Sequence, residues 1–228
     1  MMTATQILKN VIAASGGETW HSPQTLMLKG EAFFTPYGKT DAAHFIHFDN
    51  YQLYRVFPPQ NDEARKANGK IRFDAQYGSN DFFSLRFDGT HTNMNLSEVA
   101  KPYAKHFEWS NNFGFSIIRH AVSQGFTLER LTDDHMDGHD CFFIKITDTK
   151  GGETFYGIDK QLFYIRYLHF DTAVGHHHRI YSDFTKVEPQ GFVQPQRLRI
   201  YFGGLRWMDI RWKEFRVNQP IDDDVFAT

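Results

Sequence analysis

The hydrophobic pattern changes period after the first twenty residues. Ile7, Leu8, Val11 and Ile12 recur at the spacing of one helix face. Thr3 and Gln6 stand three apart at its start, the spacing of a capping box in which each side chain satisfies the other's backbone N–H. Gly16 and Gly17 end the helix, because glycine accepts the left-handed conformation there. From residue 25 the period is two. TLMLKGEAFF sets Leu26, Leu28, Ala32 and Phe34 on one side of a strand. A turn is expected at Pro36, Tyr37 and Gly38, then strands in AAHFIHF and YQLYRVF on either side of Asp49-Asn50. PPQNDEARKANGK reads as a polar loop. KIRFDAQY and DFFSLRFDG are further strands, with Asp88-Gly89 as a tight hairpin turn.

Residues Ser97 to Gly125 interrupt this run. Ser97 suits a helix N-cap, with Glu98 in the favourable first turn, and Phe113, Ile117, Ile118, Ala121 and Val122 form a helical stripe. Strands resume in TLERLTD, CFFIKITD, TFYGID, LFYIRYLHFD, HHRIYSDF, QRLRIYF and MDIRWKEFRV, with turns at Gly138, Gly151-Gly152 and Gly203-Gly204. Strands in close succession pair antiparallel, since parallel pairs need long crossovers. The pattern predicts a mainly antiparallel β protein with a few helices, in a single domain over 1–228.

Composition narrows the function classes. The 23 Phe residues give a ring-rich chain able to fill a core and line a pocket for organic ligands. A net charge of −2, with no Lys/Arg run, argues against nucleic acid as a partner. Cys141 is the only cysteine, so neither an intrachain disulfide nor a CxxC site can form. MMTATQILKNVIAASGG lacks a basic n-region, and no stretch approaches the length of a membrane helix, so a cytoplasmic protein with no integral membrane segment is expected.

The last third reads YSDFTKVEPQGFVQPQRLRIYFGG and then IRWKEFRVNQPIDDDVF. Tyr181, Asp183, Phe184, Pro195, Arg197, Gly203, Val217, Asn218, Pro220, Ile221, Asp222, Asp223 and Phe226 stand in the order of a closing motif. Gly16, Gly17 and Trp20 precede the first strand in a matching N-terminal motif. In these features the chain resembles the LolA/LolB-like superfamily of lipoprotein localisation factors. The resemblance implies a curved antiparallel half-barrel sheet capped by helices, with a hydrophobic hollow. In the carriers the hollow holds acyl chains, and in a relative of the violacein pathway it serves small aromatic chemistry.

Candidate chemistry gathers in the strands near GHHHR. Alternation puts His176 and His178 on one side with Ile180 and Phe184, taken as the inward side, and His177, Arg179, Tyr181 and Asp183 on the other. His169, His176 and His178, with Asp171 to fix a tautomer and His44 from another strand, would supply acid–base catalysis. Tyr164, Tyr167, Arg86, Phe34 and Phe184 would hold the ligand. His176 and His178 at i and i+2 can share a metal, but a polar strand end is the favoured reading, and neither metal nor cofactor is expected. Asp133, Asp134, Asp137 and Asp140 with His135 and His139 read as a solvated hairpin turn around Gly138. Three functions are therefore expected, in this order. The first is a non-exported binder of a hydrophobic, aromatic small molecule. The second is a cytoplasmic lyase or isomerase working in the same cavity. The third is a periplasmic lipid or lipoprotein carrier, set last because no export signal is visible and the hollow reads as polar. Exposed sheet edges would also allow a homodimer.

Overall fold

The computed structural model describes residues 2–35, 45–57, 69–78, 80–95, 97–98, 114–172 and 175–227. The chain divides into two compact units, one of Ser22–Asn112 with Ile210–Thr228, the other of Met1–His21 with Phe113–Asp209. The strand pairs resolved residue by residue are antiparallel in both.

The first of these units holds β1 (Thr25–Phe34), β2 (Ile46–Val56), β3 (Lys70–Tyr77), β4 (Asn80–Phe87), β5 (Thr92–Met94) and β6 (Ser97–Glu98). They are ordered β6-β5-β4-β3-β2-β1, and β1 continues onto the last strand, β14 (Leu205–Val217). Asp49-Asn50 does not turn the chain. Gly30 faces Tyr51 and Ala32 faces Phe48, so Asp49 and Asn50 together oppose Glu31 alone. The two turn-formers make a β-bulge inside one long strand, because a residue pair tolerant of unusual dihedrals suits either use. Asp88-Gly89 opens a wider turn than expected: the Asp88 carboxylate accepts the N–H groups of Thr90 and His91, and the next strand starts at Thr92. Ser97 and Glu98 pair with β5 instead of capping a helix. The turn expected at Pro36 to Gly38 lies outside the described residues.

The closing motif explains itself here. Asn218, at φ 55°, accepts the N–H of Gln24 at 2.8 Å and donates its own N–H to the Thr25 carbonyl at 3.0 Å. Thr25 Oγ1 donates to the Gln219 carbonyl at 2.6 Å. The end of β14 is thereby tied to the start of β1. Beyond it Asp222 caps a 3-10 helix (Asp223–Phe226) that buries Phe226, and Arg72 of β3 donates to the Val225 carbonyl. Gly30 lies against β14 so closely that a Cβ would sit 2.0 Å from the Arg211 carbonyl oxygen.

The other unit holds α1 (Ala4–Ser15), α2 (Glu18–His21), α3 (Phe115–His120), β7 (Thr127–Arg130), β8 (Asp134–Met136), β9 (His139–Thr147), β10 (Glu153–Asp159), β11 (Ile165–Thr172), β12 (Gly175–Val187) and β13 (Phe192–Phe202). The order is β13-β12-β11-β10-β9-β7, with β8 paired to β9. The capping box of Thr3 and Gln6 is formed at α1. Asp137-Gly138 and Gly203-Gly204 have positive φ at both positions, the twist a two-residue hairpin needs. The acidic segment around Gly138 is thus a hairpin. The helices pack on one side of these strands. Phe115 of α3 meets Tyr181 and Trp20, the Tyr156 hydroxyl donates to the Gly114 carbonyl, and Arg119 lies 4.5 Å over the Trp20 ring. Val122, set in the helical stripe by periodicity, is exposed, because α3 ends at His120. Ile144, Ile146, Tyr156, Ile158 and Leu168 are wholly buried on this side, each apolar side chain contributing about 2–3 kcal/mol.

At the β10–β11 turn, Arg166 binds the Asp159 carboxylate through Nε at 3.0 Å and Nη2 at 2.9 Å, and both groups are buried. Burial alone would raise the Asp159 pKa, but the N–H groups of Leu162 and Gln161 and the Arg166 guanidinium outweigh it and hold it below the usual carboxylate value.

Three outcomes follow from these contacts. Gly30→Ala should destabilise the protein by about 3 kcal/mol or more in urea unfolding, since backbone must move to admit the methyl. Asn218→Gly, which keeps the backbone freedom and removes the side-chain bonds, should lose about 1 kcal/mol, and Asn218→Ala more. The Asp159 contribution is fully present above the ordinary carboxylate pKa and is lost as pH falls through its lower folded value, so Asp159→Asn should flatten the acid limb of a stability–pH curve.

Candidate functional site

The candidate histidines come together, but on the side away from the helices. Residues directly opposite across a ladder share a face. Phe155 faces His169, His169 faces His178, and His178 faces Tyr201, giving a row of rings across β10 to β13. Phe155 stacks on His169 at 4.3 Å between ring centroids, and Tyr201 on His178 at 4.4 Å. His176 lies 5.0 Å from His169 and 5.7 Å from His178, and its Nδ1 is 2.9 Å from the Asp171 carboxylate. Tyr167 adjoins both His169 and His178. Burial, reinforced by neighbouring His176, pushes His169 down to about 4 and His178 below its ordinary value. Both rings are therefore neutral near pH 7.

The expectation that His176 and His178 face inward is corrected. On β12 it is His177 and Tyr181 that are buried, with Tyr181 against Phe115, while the His176 side chain is 42% exposed and Asp171 86%. Alternation separates the two sides but does not say which one the helices cover. Arg179 Nε donates to His177 Nε2 at 2.8 Å, which satisfies two polar groups on the covered side. A polar pair the sequence suggests for solvent is thereby accommodated under the helices. The acid–base set lies on the face that the helices leave open, and the lyase or isomerase reading is unsupported.

The remaining candidates are scattered. Tyr164 and Phe184 form a ring pair of their own at 4.9 Å, with Arg166 over Phe184. Arg86 donates to the carbonyl of Ala227 near the C-terminus, so it holds the tail rather than a ligand. His44 lies outside the described residues. Phe34 alone belongs to a larger apolar surface.

That surface is one face of β1 to β4 with β14. Ladder partners place Leu28, Leu53, Phe73 and Leu85 in one row, and Gly30, Tyr51, Ala75 and Phe83 in the next. Tyr51 is its centre, stacked on Trp212 at 5.4 Å and Phe73 at 6.2 Å, with Phe34 and Phe83 edge-on. Phe34 also meets Phe48 and Phe83. Tyr51, Phe48 and Trp212 are buried, whereas Phe34, Leu53, Phe73 and Phe83 keep part of their surface open. Burial, with Asp74 nearby, pushes the Tyr51 phenol well above its ordinary value, so it stays uncharged. The opposite face is polar: Asn50, Gln52 and Tyr54 are hydrogen-bonded along β2, and Arg72 pairs with Asp74. Glu31 there meets His47 and Lys213; burial would raise its pKa, but these partners lower it. Sequence reasoning singled out Phe34 but missed Tyr51, Phe73, Phe83 and Trp212. Their signal is that they share one phase of the alternation once the register is known.

No protein-family model and no curated protein sequence matches the chain. Solved structures do. A DUF1329 family protein from Desulfovibrio piger matches with TM-score 0.59 at 11% identity, over 100% of this chain and 98% of that one. A domain from Vibrio parahaemolyticus, described as an outer membrane lipoprotein-sorting protein, matches with TM-score 0.54 at 10% identity, over 99% and 96%. A LolA superfamily protein from Nitrosomonas europaea matches with TM-score 0.51 at 12% identity, over 100% and 99%. The expectation of a cytoplasmic protein is corrected by this likeness, since lipoprotein sorting to an outer membrane is work of the cell envelope. Among the described residues no helix is long and apolar enough to cross a membrane. Mainly antiparallel, with few helices and a length matched nearly end to end by these neighbours, the chain has the LolA-like half-barrel fold.

Proposed function

We propose that this chain carries a hydrophobic ligand of lipid type in the cell envelope, held on the apolar face of β1 to β4 and β14. The observation that supports the reading most is the contrast between the two faces of these strands. One bears a hydrogen-bonded polar net, and the other bears rings and aliphatic side chains of which Phe34, Leu53, Phe73 and Phe83 are left partly open. Partly exposed apolar side chains clustered on one face are the mark of a surface that another apolar body covers. Binding there needs little from polar groups, because removing apolar area from water contributes about 25 cal/mol per Å². The Vibrio parahaemolyticus domain of the same fold is described as a lipoprotein-sorting protein, and an acyl chain is an apolar body that such a surface would cover. The stacked Tyr51, Phe73 and Trp212 rings also suit a flat aromatic compound, so the ligand class extends from acyl chains to ring systems.

A fluorescent fatty acid and a planar aromatic dye should both bind the intact protein saturably, with the fatty acid the tighter. Phe73→Asp and Phe83→Asp should each weaken fatty-acid binding at least tenfold, since a carboxylate facing an acyl chain loses its hydration. His176→Ala should leave the titration unchanged. Absence of saturable binding, or equal binding by the two Asp variants with unaltered unfolding curves, would refute the assignment.

A further inference from the structure

The uncovered face of β10 to β13 carries a feature that hydrophobic carriage does not use. Three imidazoles, from two adjacent strands, gather beside one carboxylate. His176 and His178 project the same way from β12, two residues apart, and His169 projects from the facing position of β11. We propose that His169, His176 and His178 form a binding site for a divalent transition-metal ion of the zinc type, with Asp171 orienting His176.

Three observations point this way. The first is spacing. With zinc–nitrogen bonds of about 2.0–2.1 Å and tetrahedral angles, two imidazole ligands of one ion have ring centroids about 5 Å apart. His176 already stands 5.0 Å from His169 and 5.7 Å from His178. The second is the hydrogen bond between His176 Nδ1 and Asp171 at 2.9 Å. It fixes the proton on Nδ1 and turns the Nε2 lone pair outward, the arrangement by which carboxylates prepare histidines to ligate metals. The third is the state of the other two rings. The Nδ1 atoms of His169 and His178 are buried and make no hydrogen bond. A buried ring nitrogen without a partner calls for an explanation, and a cation would supply one.

Among the described residues no three ligating groups already converge on one point. The ion would draw the nitrogens together by rotation about the Cα–Cβ and Cβ–Cγ bonds. His176 has the room for this, being the most open of the three. A bound ion would staple β11 to β12 across the two-residue connection between Thr172 and Gly175.

Calorimetric titration of the full chain, freed of metal and carrying no affinity tag, with zinc chloride alone tests the site. The expected result is one ion bound per chain. His169→Ala should weaken binding at least tenfold, and His176→Ala combined with His178→Ala should abolish it. His135→Ala, on the exposed β8–β9 hairpin, should leave it unchanged. Zinc should raise the unfolding temperature of the native sequence but not of the double variant. Circular dichroism checks that each variant is folded. No saturable uptake by the native chain, uptake that survives in the double variant, or an equal loss in His135→Ala would each overturn the proposal.

Discussion

The pairing of the first strand with the last is the constraint on which the apolar face depends. β1 and β14 are separated by most of the chain, and the hydrogen bond from Gln24 to Asn218 spans 194 residues. Without that seam, Trp212 would not reach Tyr51, and the ring cluster would lose its centre. Two residues secure the seam by different means. Asn218 uses a positive φ and a side-chain carbonyl to tie the strand ends, and Gly30 removes its own side chain so that the two backbones can close up. The first gives direction and the second gives proximity. The resemblance to LolA-type proteins had been carried in part by Val217, Asn218 and Pro220, and the structure shows a physical reason for the Asn: it is the clasp of the seam.

The elements of this fold were legible wherever a local pattern has one structural meaning. The period-two runs from Thr25 and from Lys70 became β1 and β3 with the boundaries read from sequence, and the Thr3–Gln6 box capped the helix it was assigned to. Illegibility began where one residue type serves two purposes. Asp49-Asn50 satisfied the chemistry of a turn and formed a bulge inside a continuous strand. Ser97-Glu98 had the chemistry of a helix start and became a short edge strand. The site was harder still. Alternation sorts β12 into two sets of side chains, but nothing local says which set meets a helix from the far end of the sequence. His177, polar in composition, was buried with a hydrogen bond from Arg179, and the row of half-buried rings fell to the other set.

That inversion redirects the chemistry of the molecule. Here Phe34, Phe73 and Phe83 surround the neutral Tyr51 on one face of the sheet. The histidines occupy a separate surface, where water can reach them and where their own lone pairs are the available chemistry. The two surfaces belong to different units of the chain.

The seam between β1 and β14 also sets an order of events during synthesis. β1 is made long before β14, yet one of its two edges has no partner until β14 follows. Closing so long a loop carries a large entropic penalty before any contact rewards it. The nascent chain can form β1–β2 and the hairpins after it, but the sheet stays open along that edge until β14 is available. Until then the growing polypeptide is an unfinished ladder with one open rung, and its last seam closes only when two distant stretches of chain meet.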